Sequence, residues 1–209
     1  DNNHIGSGTA NSINLNIYAN SSSGDALNGA VVYGAGQDKS TNINIGTINI
    51  TINADGNTIG SVYATNFAAI PTAGQLYNTN INIGDGTTIS GTVSSGGSGD
   101  DLTDTKAAAN TKQAIMTLGD NTSHNPITIN GSLVNFNSAE IASQSTVVVS
   151  GSFKNGNSAT AANHAATYSK HGTIQIDEGA VLSVTSTSSL ISGSKLTVDQ
   201  NATISTPYM

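Results

Sequence analysis

The sequence predicts an all-β protein built as a solenoid with loop insertions between its repeated units. Short runs in which apolar and polar residues alternate recur along the chain, as at residues 80–83, and a period of two is typical of a strand with one buried face. A longer strand–turn–strand unit also recurs, at residues 50–62 and again at 80–93. Repetition of a whole unit of about 20 to 30 residues is typical of a solenoid.

The alternation places strands in order along the whole chain. The expected strand segments are residues 13–17, 29–34, 42–45, 48–52, 60–63, 80–83, 126–133 and 146–153. Two late copies of the strand–turn–strand unit are expected at residues 174–182 and 196–204. In the unit at 80–93 we expect the apolar side chains to be buried, namely Ile81, Ile83, Ile89 and Val93. The polar residues Asn80, Asn82 and Ser94 are then predicted to lie on the surface.

Turns separate the strands at acidic residues that recur. Asp55 and Asp85 occupy equivalent places, and so do Asp177 and Asp199, at a shorter spacing. Glycine or asparagine follows these aspartates, which indicates a backbone with positive φ. Three excursions, at 65–79, 95–114 and 157–171, are expected to be insertions, with short helices in the alanine-rich runs 107–109 and 159–166.

A β-sandwich is the alternative fold. The dipeptides Asn28-Gly29, Asn130-Gly131 and Asn155-Gly156 are typical of tight hairpins between antiparallel strands. The repetition of whole units in register favours the solenoid. A repeat of about 20 to 30 residues gives about seven to ten coils. We expect residues 1–209 to form one domain within a larger surface protein.

Composition excludes several classes of function. The chain has 209 residues, of which 9% are charged, with a formal net charge of −7 and no arginine or cysteine. Gripping phosphates requires clustered Lys or Arg, so neither nucleic acid nor an anionic membrane is an expected partner. The sequence also has no apolar run of the ~18 residues that a spanning helix needs, so we expect no membrane insertion. Low charge suits a stack of like strands, because like charges would repel while asparagines can hydrogen-bond to each other.

The segments INLNI, NINI and LTVDQNATIS, with the turn pattern D-G-x-T-I, resemble right-handed parallel β-helices of bacterial surface adhesins. That group includes pectate-lyase-like adhesive domains and autotransporter passengers. The resemblance implies an extracellular domain, secreted or displayed on a bacterial cell surface or wall. It further implies binding to host glycans or matrix components, or self-association between cells in a biofilm.

Polysaccharide-degrading enzymes share this kind of fold and supply an alternative function. The chain resembles them poorly, because the arginine that such lyases use is absent and only the pair Asp100-Asp101 matches the hydrolase motifs. We therefore expect no catalytic residues and no enzymatic activity. A structural or ice-binding spacer is a further alternative, although ice binding would need a regular threonine array and the outward rows are rich in asparagine.

Two groups of residues are candidates for ligand contacts. Tyr33 and Tyr63 follow equivalent valines, so both rings are expected to point outward, either as a platform for sugar rings or as caps on neighbouring loops. Asn82 and Ser94 are the other predicted ligand-binding residues.

A calcium site is the one metal site that the sequence suggests. The segment 96–101, GGSGDD, matches the start of a calcium-binding repeat, with Asp100, Asp101 and Asp104 as oxygen ligands. The match fails after Asp101, and a single copy supplies half of a site that successive turns share. A solvated loop without a metal is the alternative.

Overall fold

A computed structural model describes residues 10–18, 30–35, 45–65, 77–95, 111–135, 138–155, 172–190 and 195–207. Within these segments the chain forms strands and no helix. The strands are β1 (Ala10–Tyr18), β2 (Val31–Ala35), β3 (Ile45–Asn53), β4 (Thr58–Ile59), β5 (Ser61–Thr65), β6 (Tyr77–Ile83), β7 (Thr88–Ile89), β8 (Val93–Ser94), β9 (Thr111–Leu118), β10 (Ile127–Ile129), β11 (Leu133–Asn135), β12 (Ser138–Ile141), β13 (Thr146–Val149), β14 (Phe153–Asn155), β15 (Thr173–Ile176), β16 (Val181–Val184), β17 (Ser188–Leu190), β18 (Lys195–Val198) and β19 (Thr203–Ser205).

The strands form three sheets that the chain visits in turn. Sheet 1 has the order β1-β3-β6-β9-β12-β15-β18, sheet 2 the order β4-β7-β10-β13-β16-β19, and sheet 3 the order β2-β5-β8-β11-β14-β17. From β3 to β17, each repeat gives one strand to sheet 1, then one to sheet 2 and one to sheet 3. An all-β chain of short strands in parallel sheets is consistent with the predicted solenoid.

Every strand pair in the described residues is parallel, which distinguishes the structure from a hairpin-built sandwich. The Asn130-Gly131 dipeptide connects β10 in sheet 2 to β11 in sheet 3, so it is not a hairpin turn. The other two Asn-Gly dipeptides extend outside the described residues.

The length of a repeat varies more than the sequence predicts. Equivalent positions in sheet 1 are 35 residues apart between Leu15 and Ile50 but 22 apart between Ile174 and Leu196. The strands keep their register because the extra residues lie between strands. Sheet 1 contains seven strands in the described part of the chain, at the lower end of the predicted number of coils. The alanine-rich runs predicted as helices lie outside the described residues.

Apolar side chains on alternate positions form the core. The predicted core residues Ile81, Ile83, Ile89 and Val93 are all buried, with at most 1% of their surface exposed. In sheet 1, Ile81 lies in register between Ile50 and Met116 of the neighbouring strands, so apolar rows run across the sheet. Burying each such side chain contributes about 1.5 to 3 kcal/mol.

The turns from sheet 1 to sheet 2 have the backbone that the sequence predicts. Positive φ occurs at equivalent turn positions, 71° at Gly56, 75° at Gly86, 71° at Gly179 and 60° at Asn201. Gln144 takes the same position with φ of 61°, without glycine or asparagine. The predicted equivalence of Asp177 and Asp199 is confirmed, since each accepts a hydrogen bond at its backbone oxygen from the residue three places later.

Close backbone contacts explain a row of glycines between sheets 2 and 3. The Gly131 N–H donates to Gly91 O at 2.9 Å, and the Gly151 N–H donates to Gly131 O at 3.0 Å. A Cβ atom on Gly131 would lie 2.4 Å from Gly91 O, which is too close for any side chain. A side chain at Gly131 would therefore prevent this close stacking on Gly91.

Buried asparagines join repeats where sheet 3 leads back to sheet 1. Asn135 Nδ2 donates to Asn155 Oδ1 at 2.7 Å and to the Thr173 backbone oxygen at 2.9 Å, and both asparagines are fully buried. A buried polar side chain is stable only when it is hydrogen-bonded. These bonds connect neighbouring repeats inside the molecule, whereas the sequence predicts asparagine rows on its outer faces.

The predicted surface position of Ser94 is wrong. Ser94 has no exposed surface, and neither does its register partner Val134 on β11. Val134 does not belong to the main apolar core, so these side chains are covered on the outer side of sheet 3. Alternation showed that Ser94 points away from the core, but it does not encode what covers that side.

Candidate binding surface on the outer face of sheet 1

Two polar rows cross the outer face of sheet 1, because the apolar side chains between them point to the opposite side of the sheet. The first row contains Asn14, Asn49 and Asn80 on β1, β3 and β6. The second row contains Asn16, Thr51 and Asn82 on the same strands. We call these six residues the asparagine face.

The first row forms a ladder of side-chain amides. Asn49 Nδ2 donates to Asn14 Oδ1 at 2.7 Å, and Asn80 Nδ2 donates to Asn49 Oδ1 at 2.8 Å. The spacing of neighbouring strands, about 4.8 Å, lets one amide reach the next. Each bond uses one of the two N–H groups on the donating amide, so the other N–H can serve a ligand.

The second row is the more accessible of the two. Asn16 and Asn82 are exposed, and Thr51 between them is half-buried. Asn82, which the sequence predicts as a ligand-binding surface residue, is therefore placed on the surface. Its neighbours in the first row, Asn49 and Asn80, are half-buried.

An exposed isoleucine interrupts the first row at the next strand. Ile115 on β9 is the register partner of Asn80, and 38% of its surface is exposed. Ser138 continues the row on β12. The face thus presents amide donors and acceptors beside one apolar side chain, a combination that suits a ligand with hydroxyl groups and C–H surfaces.

A carboxyl pair lies farther along the same face. Glu140 on β12 is in the second row, and Asp177 directly follows β15, the neighbouring strand. Partial burial raises the pKa of Glu140, and a hydrogen bond to Asp177 and the repulsion of its charge raise it further. When Glu140 is protonated, its carboxyl group can donate a hydrogen bond to the carboxyl group of Asp177.

The predicted residues do not form a single site. Tyr33, Tyr63 and Ser94 are successive register partners in sheet 3, whereas Asn82 belongs to sheet 1. Val32 and Val62 are buried, as predicted, and Tyr63 is half-buried with contacts of its own. The side chain of Tyr33 lies outside the described part of the structure, so the sugar platform remains a prediction.

The predicted calcium ligands Asp100, Asp101 and Asp104 also lie outside the described residues. Within the described residues, no group of three or more His, Cys, Asp and Glu side chains could hold a metal ion. Calcium binding at residues 96–104 therefore stays a prediction.

Sequence reasoning missed an acidic anchor at the enlarged turn of residues 119–126. Asp85 is 3% exposed, and its Oδ2 accepts hydrogen bonds from the backbone N–H of Thr122 at 3.1 Å and of His124 at 3.3 Å. Its Oδ1 is buried without a hydrogen-bond partner. The pair Asp85-Gly86 indicates a turn at Asp85 itself, but the residues that Asp85 holds are nearly forty positions away.

The anchored turn carries exposed polar side chains in unusual backbone conformations. Asn121 and His124 both have φ of 56°, and both side chains are exposed. Asn125 Nδ2 donates to Asp55 Oδ1 at 3.2 Å, which ties the turn to a second repeat. Positive φ outside glycine costs about 1 to 3 kcal/mol and persists where the surroundings enforce it.

Comparison of the chain with protein-family models, with curated proteins and with solved structures finds no match in any of the three. The function is accordingly argued from the geometry of the chain.

No helix in the described residues is long and apolar enough to cross a membrane.

Proposed function

We propose that this chain is an adhesive module displayed outside a bacterial cell, folded as a right-handed parallel β-helix that binds glycans on the asparagine face. The amide ladder of Asn14, Asn49 and Asn80 is the observation that carries the proposal. It fixes three amides in one orientation across neighbouring strands. Because these amides are already ordered, the protein loses less side-chain entropy when they bind a ligand than it would with freely rotating amides.

A neutral polyhydroxyl ligand fits the chemistry of this face. Its six residues are uncharged, and they offer amide and hydroxyl groups that both donate and accept hydrogen bonds. Glycan hydroxyls have the same double capacity. Ile115 beside the ladder supplies an apolar contact for the C–H groups of a sugar ring.

The repetition of the face favours a ligand with a repeating structure. Strands at about 4.8 Å spacing place equivalent amides at regular intervals, so an extended polymer can meet the same group several times. Several weak contacts on one ligand produce a higher overall affinity than any single contact. Polysaccharides and other extended surface polymers meet this requirement.

A glycan array probed with the purified chain tests the proposal. In the variant Asn49→Ala with Asn82→Ala, we expect binding to fall at least about tenfold, since two or three hydrogen bonds of about 0.5 to 1.5 kcal/mol each are lost. The matched control is Thr88→Ala with Thr128→Ala, which removes two half-buried hydroxyls from the outer face of sheet 2. Circular dichroism verifies that both variants are folded.

Two outcomes would contradict the proposal. One is that the wild-type chain binds no glycan on the array, and the other is that the two double variants bind equally well. A third double variant, Tyr33→Ala with Tyr63→Ala, distinguishes the tyrosine pair from the asparagine face as the contact surface. Loss of binding in that variant alone would move the site to sheet 3.

A further inference from the structure

The two outermost strands of sheet 1 leave apolar side chains uncovered. Among the described strands, β1 pairs only with β3 and β18 pairs only with β15. Leu15 on β1 is 37% exposed and Val198 on β18 is 45% exposed, whereas Ile50 and Ile176 in the same two rows are fully buried. Unpaired backbone groups on such edges can hydrogen-bond to a further strand.

The core is also open beside β18. A cavity at this end has a mostly apolar lining, formed by Phe153, Leu182, Val184, Ser188, Leu196, Ile204 and Thr206. Leu196 and Ile204 are only partly buried, in contrast to the fully buried Ile174 and Leu182 of the preceding repeat. Covering this end would bury apolar surface that the described part of the chain leaves accessible to water.

The β1 edge lacks the usual protection against pairing. Sheet edges in soluble proteins are commonly short, charged or interrupted by proline, which prevents other strands from adding to them. In contrast, β1 is nine residues long, and its sequence ANSINLNIY contains neither a charged residue nor proline.

The side-chain rows of the two edges match. Through the registers of the intervening strands, Leu196 belongs to the row of Leu15, and Val198 belongs to the row of Ile17. Thr197 belongs to the polar row of Asn16. If β1 followed β18, apolar residues would meet apolar residues and polar residues would meet polar ones.

We propose that a second copy of this chain docks its β1 in parallel against β18, so that sheet 1 continues from one copy into the next. The row match favours a second copy over an unrelated strand, because a foreign strand need not share the spacing and sequence of apolar residues. The contact is heterologous: each copy added leaves one free β1 and one free β18. Such contacts produce open-ended assemblies. The docking uses the backbone edge and the core-facing side chains of β1, the strand that also carries Asn14 and Asn16 of the asparagine face. It needs no glycan, so association and glycan binding are measured separately.

Sedimentation of the 209-residue chain over about 1 to 500 µM tests the docking, since this range covers interfaces of micromolar affinity. The expected result is an average mass that rises at least twofold with concentration. Leu15→Lys places a charge on the β1 edge, and Val198→Lys places one on the β18 edge. Each variant alone is expected to stay monomeric.

An equimolar mixture of the two variants provides the decisive measurement. The free β18 of the Leu15→Lys chain can still accept the free β1 of the Val198→Lys chain, so the mixture should form dimers and nothing larger. Ile115→Lys is the matched control, because Ile115 is similarly exposed but lies on the outer face of sheet 1. It should associate as the wild type does.

Three results would overturn the proposal: a monomeric wild type over the whole range, no dimer in the mixture, or loss of association in Ile115→Lys. Hydrogen exchange on the wild-type chain does not depend on whether a variant folds. The β1 amides should exchange more slowly at high than at low concentration, and unchanged exchange would reject the docking. Glycan binding by the monomeric variants would separate this outcome from the proposed function.

Discussion

Glu140 and Asp177 bring two carboxyl groups together on a face that is otherwise nearly free of charge. Burial, a hydrogen bond to Asp177 and the charge of Asp177 all raise the pKa of Glu140. The folded chain therefore holds this proton to a higher pH than the unfolded chain does. Stability accordingly falls as pH rises from the unfolded pKa of Glu140 through its raised folded pKa.

Glu140→Gln is expected to stabilise the chain at pH values above the raised folded pKa of Glu140, because it removes a carboxylate that is less favourable in the folded than in the unfolded chain. After solvent screening the gain should be about 0.5 kcal/mol, and it should vanish below the unfolded pKa of Glu140, where the wild-type carboxyl is protonated in both states. Urea denaturation at several pH values measures the difference. Glu178→Gln controls for the change in net charge, since Glu178 is exposed in the turn after Asp177. An equal gain from both variants, or a gain that persists at low pH, would contradict the assigned cause.

Individual residues differ in how far the sequence predicts them. Ile81, Ile83, Ile89 and Val93 are predicted correctly because a period of two fixes which side of a strand faces the core. The burial of Ser94 is not predicted, because it depends on other residues that cover the outer side of sheet 3. Asn82 is correctly placed on the surface, but the amide ladder beside it requires the register of three strands, which the separate repeats do not specify.

At the scale of single elements, the turn of residues 119–126 shows how one repeat can shape another. Its exposed residues are positioned by Asp85, which belongs to the preceding repeat and accepts the backbone N–H groups of Thr122 and His124. The pair Asp120-Asn121 resembles the turns at Asp55 and Asp85, and Asn121 has positive φ. The sequence does not predict the anchor, because a local pattern contains no information on contacts between repeats.

Asp85→Ala is expected to lower the free energy of unfolding by about 1 to 3 kcal/mol, because two partly buried hydrogen bonds from the backbone N–H groups of Thr122 and His124 are lost. Asp85→Asn keeps an acceptor oxygen and should cost less. Hydrogen exchange at Thr122 and His124 should accelerate in the alanine variant more than exchange in β10. Asp55→Ala is the control, since Asp55 is exposed and bonds only to the Asn125 side chain in this turn. If Asp55→Ala destabilised the chain as much as Asp85→Ala, the turn would not depend on the buried carboxylate.

For the whole molecule, the strand pairing connects each repeat to its immediate neighbours. Within sheets 1, 2 and 3, every strand is hydrogen-bonded only to the strands of adjacent repeats among the described residues. Repetition in the sequence was sufficient to predict this parallel stack. It could not predict the differences in repeat length, because the segments between strands follow no period.

Stability in such a stack is approximately a sum of terms for each repeat and each contact between neighbours. A repeat at one end has one neighbour, so it should open locally without unfolding the rest. Ile129 in β10 is fully buried between β7 and β13, whereas Ile204 in β19 is partly buried and pairs only with β16 among the described strands.

Ile129→Ala should therefore lower the free energy of unfolding by about 2 to 5 kcal/mol, the usual cost of truncating a buried isoleucine, and Ile204→Ala by less. The two variants should also differ in where protection is lost. At a concentration low enough to keep the chain monomeric, Ile204→Ala should accelerate hydrogen exchange in β18 and β19 while leaving β10 and β13 unchanged. Ile129→Ala should accelerate exchange on both sides of β10, because it weakens contacts with two neighbouring repeats. Equal costs and a uniform loss of protection in both variants would mean that the stack unfolds as one cooperative unit, in which the end repeats are as stable as the middle.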